Sequence, residues 1–343
     1  MMQKVLFIFL LFCSCSRFVA AQSPEGKLPQ KLRNGIQKSD ADTNRIRMLL
    51  SLGSLYLSKD GRAKYIPDSA FILYNEAMAL SKSLKNVSFQ NETLMKLGCY
   101  YFEINDLKNG KSNFMEAIES YKKENDKINE ANAWDQFGQC IPDSDRNNIP
   151  LKIDCFEHAQ TIYNSIPKRI AAIGTQQKIA ECHIKLGSLP EAEKELLEVI
   201  AQYKAHGFYN LQDTYDLLAQ ISSSNADLHK EFAYRMEAVN SMEASADKSR
   251  ADYFYAKLAL TYSDMKMYSE SAEWILKAIN AIKKKGKYED LYGDISLLVF
   301  DYITLGKPRV AIDFLNKISV EIPPQNMAQR VDLNEEFAHC YVS

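Results

Sequence analysis

Proline and glycine are scarce, 10 and 13 residues in a chain of 343. So few helix breakers argue against collagen-like, low-complexity and turn-rich β architectures. An excess of basic charge is missing as well. The 42 Lys and Arg stand against 44 Asp and Glu, a formal charge of −2. No domain-scale basic patch exists, which argues against nucleic acid as a partner. Past residue 21 no run approaches the roughly 18 apolar residues that a membrane span requires. Histidine is limited to His158, His183, His206, His229 and His339, with no two at metal-ligand spacing. Phosphate loops, nucleophile elbows and His-Glu-x-x-His segments are absent. Acidic pairs are common, but solvated helix faces normally carry them. A helical glycosidase would need paired carboxylates in an aromatic cleft. Only Trp134 and Trp274 are present, and the repeat described below uses both. The expectation is therefore no enzyme, no cofactor and no metal.

Five cysteines lie beyond residue 21: Cys99, Cys140, Cys155, Cys182 and Cys340. An odd, scattered set does not make a disulfide framework. Four of them follow a recurring small residue by one or two positions, where a small apolar side chain packs well. Cys140 and Cys155 belong to the two helices of one hairpin, and whether they pair is open.

What the chain does contain is a period. Leu97, Gly98 and Tyr101 share one helix face, and Gly110, Phe114 and Ala117 form the stripe of a second helix. The small residues let two backbones approach, and Phe114 fills the space beside them. Taking the small residue of the first helix as register mark, the series is Gly53, Gly98, Gly138, Ala180, Ala219, Ala259, Val299 and Ala338. The residue before each mark is large and apolar. The residue three after it is usually Tyr, as in Tyr56, Tyr101, Tyr262, Tyr302 and Tyr341, while Ile141, His183 and Ser222 depart from this. Second helices follow as Ala70–Tyr74–Ala77, Lys152–Phe156–Ala159, Ala192–Leu196–Val199, Ser271–Ile275–Ala278 and Ala311–Leu315–Ile318. The fifth is degenerate, with Glu231, Arg235 and Ala238. A fixed period of about 40 residues is the signature of a repeat architecture.

This pattern resembles the tetratricopeptide repeat. Trp134, Phe137, Gly138 and Ile141 follow that family's first helix, and Gly110, Phe114 and Ala117 its second. The resemblance covers about residues 43–343. It implies an all-α, right-handed superhelical solenoid of antiparallel helix pairs, seven full units plus a final helix. The family unit is 34 residues; the longer unit here lengthens helices and loops.

In chain order, residues 1–21 read as a secretory signal. Lys4 is the basic start, Val5 to Phe12 the apolar core, and Val19-Ala20-Ala21 the small residues before a cut at Gln22. A lipoprotein cut before Cys15 is the alternative. Lys4 and Arg17 leave with the signal, so the charge becomes −4. The product is expected to be exported, periplasmic or secreted. Residues 22–42 read as a flexible linker with Pro24, Pro29 and Gly35, and 43–343 as the repeat domain. Long loops are expected at Lys59–Pro67 and Pro142–Pro150, as binding insertions or as tolerated surface ones. Gly187-Ser188-Leu189-Pro190 and Gly306-Lys307-Pro308 read as inter-helix turns. Lys283-Lys284-Lys285 ends a helix, where cations offset the dipole.

By the resemblance, first helices line a concave groove, with open slots three before, one after and four after each mark. In units three to five these slots hold Asp135, Gln139, Gln177, Glu181, Asp216 and Gln220. This polar, mostly acidic track suits an extended peptide or merely forms a wet inner surface. Unit six adds Ala256 and Leu260, and unit two Met95, Cys99 and Phe102. The family's best-known groove clamps a carboxylate with Lys and Asn; acids stand in those places here, which disfavours that partner. The expected function is a protein- or peptide-binding scaffold. The alternative is a sensor-type region, since the long unit and export signal also resemble the extracytoplasmic repeats of Bacteroidetes-type sensor histidine kinases and membrane-bound regulators.

Overall fold

The chain is described from a computed structural model covering residues 27–58, 65–286, 288, 291–324 and 326–343. The signal at 1–21, its cut at Gln22, Cys15 and most of the Lys59–Pro67 loop lie outside these residues. Among the described residues there are sixteen α-helices, one 3-10 turn and no strand. A first helix, α1 (Lys27–Lys38), precedes seven pairs. These are α2 (Thr43–Leu57) with α3 (Pro67–Ser83), α4 (Val87–Glu103) with α5 (Leu107–Lys123), and α6 (Lys127–Cys140) with α7 (Ile149–Asn164). Then come α8 (Arg169–Leu186) with α9 (Leu189–Ala205), α10 (Gln212–Ser224) with α11 (Leu228–Ala244), and α12 (Ala251–Asp264) with α13 (Tyr268–Lys285). The last are α14 (Leu291–Thr304) with α15 (Pro308–Glu321), and a lone α16 (Met327–Val342). The chain divides into two compact units, Met1–Ala117 and Ile118–Ser343, the boundary falling inside α5.

One local device stops and restarts the helices. A residue with left-handed backbone ends one helix, and a side-chain oxygen opens the next. Asn105 (φ 63°) is followed by Asp106, which accepts from the Asn109 N–H at 3.0 Å. Asn125 (φ 56°) is followed by Asp126, which accepts from the Asn129 N–H at 3.1 Å. Each cap satisfies an N–H that has no partner within the helix. The Asn109 N–H also holds the Asp106 carboxyl below the usual carboxylate range. Gly187 (φ 80°) and Gly306 (φ 70°) fill the same place in the two turns expected from sequence.

In the first unit, the small-large-small order works as expected. A Cβ on Gly53 would stand 2.5 Å from the Tyr74 ring, and one on Gly98 would stand 2.5 Å from the Phe114 ring. Tyr74, Phe114, Ala70, Ala77 and Ala117 are all at most 1% exposed. Two expectations fail here. Phe102 is not an open slot: it is 1% exposed, 6.2 Å from the Phe114 ring, and its own ring leaves no room for a Cβ on Gly110. The lead-in is not all linker, because α1 packs on α2. Arg33 donates to the Tyr56 hydroxyl at 2.6 Å, and Gly35 lies against Met48. Pro29 is tolerated because it falls in the first turn of α1, where no intrahelical N–H is needed.

In the second unit, Gly138 sits under Phe156 with a Cβ distance of 2.6 Å. Ala180 shares a core cluster with Leu196, Ala259 with Ile275, and Val299 with Leu315. Leu333 and Cys340 of α16 join that last cluster, so the final helix covers the apolar side of the seventh pair. The Pro142–Pro150 segment is tied down. It contains a 3-10 turn, Arg146–Asn148, and Asp143 bridges Lys152 and Lys185. Burial pushes the Asp143 carboxyl up, but those two ammonium groups outweigh it and hold it below the usual range. Lys152 occupies a small-residue position, and its Nζ reaches the Ile141 carbonyl at 3.0 Å. Cys140 is disulfide-bonded whereas Cys155 is a buried thiol, so these two do not pair.

Candidate functional site

The six track residues of the second unit lie on α6, α8 and α10, the first helices of pairs three to five. The structure brings them into one hydrogen-bonded ladder. Lys178 of α8 donates to both carboxylate oxygens of Asp135 on α6, at 2.6 and 2.8 Å. Gln139, one turn on, donates to the same carboxylate at 2.7 Å. Thr214 of α10 donates to the Gln177 side chain of α8 at 2.8 Å. Tyr253 of α12 donates to Asp216 of α10 at 2.9 Å, as does Gln220. Each step between neighbouring first helices therefore carries a side-chain bond.

The slots are less open than expected. Asp216 is buried at 5% exposure and forms an ion pair with Arg235 of α11. Its second carboxylate oxygen takes Tyr253 and Gln220, so burial and three internal partners withdraw it from the open face. Burial, and secondly the Asp216 charge, pushes the Tyr253 hydroxyl up to about 12. Asp135 is neutralised by Lys178. Glu181 differs: among the described residues it forms no ion pair and accepts only from Gln177, at 3.4 Å. Burial raises its carboxyl above the usual value, against the smaller opposing pull of Gln177, Lys185 and Lys178. The groups left to meet a partner are the Gln139, Gln177 and Gln220 amides and the Glu181 carboxylate. Amides can both donate to and accept from an extended backbone.

Toward α12 and α14 the face turns apolar. Ala256, Leu260 and Leu297 line a cavity of about 410 Å³, with Lys257, Asp252 and Asp294 at its wall. Leu260 is 44% exposed, and Phe300 on α14 is 53% exposed. Ala256 and Leu260 were legible as slots. Lys178, Thr214, Tyr253 and Arg235 were not, because nothing in a single sequence says which side chains of neighbouring repeats meet. A spacing near one repeat is the only signal: Asp135 to Lys178 is 43 residues, and Gln177 to Thr214 is 37.

Residues 92–124 match the tetratricopeptide repeat family. This span holds Gly98, Gly110, Phe114 and Ala117. No curated protein matches the chain in sequence. Solved structures resemble it in fold. The apo form of RapI superposes with a TM-score of 0.52 at 13% identity, covering 84% of this chain and 99% of RapI. The Rap conjugation gene regulator of plasmid pLS20, solved with the Phr* peptide, gives 0.52 at 14% identity over 92% of this chain and 94% of the regulator. Aspartyl phosphate phosphatase F from Bacillus subtilis gives 0.52 at 16% identity over 86% and 80%. At such identities the likeness concerns the fold. The chain thus carries a tetratricopeptide repeat at 92–124, and helices α2 to α15 form TPR-like pairs.

Proposed function

We propose that this protein is an exported, non-catalytic scaffold that binds an extended segment of a protein or peptide on the first-helix face of its second unit. The ladder from Asp135 to Tyr253 is the observation that carries this reading. It fixes the amide and carboxylate groups before a partner arrives, which lowers the ordering cost of binding. Glu181 would take a basic side chain of the partner, and the cavity beside Leu260 and Leu297 an apolar one. A Rap protein of similar fold is solved with a peptide, which agrees with this use of the architecture. Export rests on residues 1–21 and is consistent with disulfide-bonded Cys99 and Cys140, since disulfides persist in oxidising compartments. A sensing region of a larger signalling protein would use the same face, so that reading differs in output and not in recognition.

Selection from a displayed random-peptide library tests the proposal. Peptides enriched on the purified chain should carry a basic and an apolar residue. They should lose binding to a Glu181→Lys, Gln220→Lys variant that retains its helical circular dichroism. No enrichment, or equal binding to the variant, would overturn it. Export is tested separately by fractionating cells and sequencing the mature N-terminus, expected at Gln22.

A further inference from the structure

The fourth helix pair departs from the repeat at one place. There the residue three after the register mark meets the residue three after the small position of the second helix. In other pairs this couple is Tyr56/Leu73, Tyr101/Asn113, Ile141/Cys155, Ser222/Tyr234, Tyr262/Trp274 and Tyr302/Phe314. In the fourth pair it is His183/Glu195. No other couple holds a histidine or a carboxylate, and Glu191 stands one turn before Glu195 on the same face of α9.

The geometry is that of a ligand set. His183 Nδ1 lies 2.9 Å from Glu195 Oε2. One donor atom from each of His183, Glu191 and Glu195 falls within 4.8 Å of the others. Donors bonded to one tetrahedral zinc ion at about 2.0–2.1 Å stand roughly 3.4 Å apart. Rotation of the exposed Glu191 side chain closes that difference. The backbone beneath is fixed: Ser188 N–H donates to the His183 carbonyl at 2.9 Å, and Gly187 N–H to Ile184 at 2.9 Å. His183 and Glu195 are 16% and 17% exposed at their side chains, so two ligands are held within the turn while the third opens to solvent.

We propose that His183, Glu191 and Glu195 form a binding site for a divalent transition-metal ion, zinc above all, which clasps the last turn of α8 to the first turns of α9. An imidazole with two carboxylates favours zinc over calcium, which prefers six or more oxygens. Three protein ligands leave a fourth position for water.

Isothermal titration of the metal-stripped purified chain with zinc chloride, paired with thermal melting, tests this. The expected result is one zinc per chain and a raised melting temperature, with no shift from calcium at equal concentration. Two variants locate the site. His183→Tyr restores the residue most other pairs carry, so it should fold, and Glu191→Gln changes an exposed side chain. Each should weaken zinc binding at least tenfold. Cobalt in place of zinc should give tetrahedral visible bands that both variants lose. Absence of zinc uptake by the folded chain would overturn the proposal. So would uptake that neither variant weakens, which would place the ion on other histidines.

Discussion

Arg235 donates to Asp216 inside the second unit, with each side chain only 7% exposed. Arg235 stands where other pairs place Tyr74, Phe114, Phe156 or a branched aliphatic residue. Its charge is answered by Asp216 on α10 and by Glu231 one turn earlier, 3.5 Å away. The degenerate fifth repeat thus sets a buried ionic group into a core that is otherwise apolar, with Leu218, Ile221, Val239 and Met242. Breaking such a set on one side leaves unpaired buried charge, at a cost of about 3–5 kcal/mol. Arg235→Met is expected to lower the unfolding free energy measured by urea denaturation by an amount in that range. Adding Asp216→Asn and Glu231→Gln should restore most of the loss, since the carboxylates no longer need a cation.

Gly138→Ala should destabilise the second unit. The new methyl would stand 2.6 Å from the Phe156 ring, and overpacking of this kind costs roughly 1–3 kcal/mol. Phe156→Leu in the same chain should recover part of it. Denaturant unfolding of the single and double variants measures the coupling.

Asp301 gives a pH dependence of known sign. It is fully buried, accepts from Ser263 at 3.0 Å, and burial raises its carboxyl above the usual value. The folded state therefore holds the proton more tightly than the unfolded chain does. Stability from this residue is present below the unfolded value and declines as pH rises through it toward the folded one. Asp301→Asn should melt higher than wild type at pH 7. The difference should vanish below about pH 4, near the unfolded aspartate value.

Thiol chemistry separates the cysteines. Cys182 is 2% exposed, and burial pushes its thiol up to about 11; burial also raises Cys340. Both should resist iodoacetamide at pH 8 in the native chain and react after denaturation. Cys99 and Cys140 should react in neither case until a reductant is added. Peptide mass mapping reads each site.

The repeat was legible because it rests on residue size at fixed spacing, which sequence records directly. Gly53, Gly98 and Gly138 announced the close helix contacts, and Gly187 and Gly306 announced turns. Helix α1 was not legible, since Pro29 and Gly35 resemble linker residues until Met48 and Tyr56 are seen beside them. Phe102 was misplaced because a slot defined by register cannot show that the facing small residue, Gly110, draws the ring inward. The track residues lie on the first helices α6, α8 and α10, as the register places them. Their partners were invisible, because Lys178, Thr214 and Tyr253 reach them across a whole repeat. His183, Glu191 and Glu195 were not legible as a set, because their donors meet only when α9 folds back on α8 across the turn at Gly187.

The ring-over-glycine contacts also constrain how this chain can change through descent. Pairs two and three seat Phe114 over Gly98 and Phe156 over Gly138, whereas pairs four and six seat Leu196 and Ile275 with Ala180 and Ala259. Ring and hydrogen, or branched chain and methyl, are two ways of filling one volume. A lineage passing between them must change two positions on different helices. If the methyl arrives first the intermediate clashes, and if the ring is lost first it carries a void. Both intermediates lose stability, the first to overpacking and the second to a cavity, so each position holds the other in place.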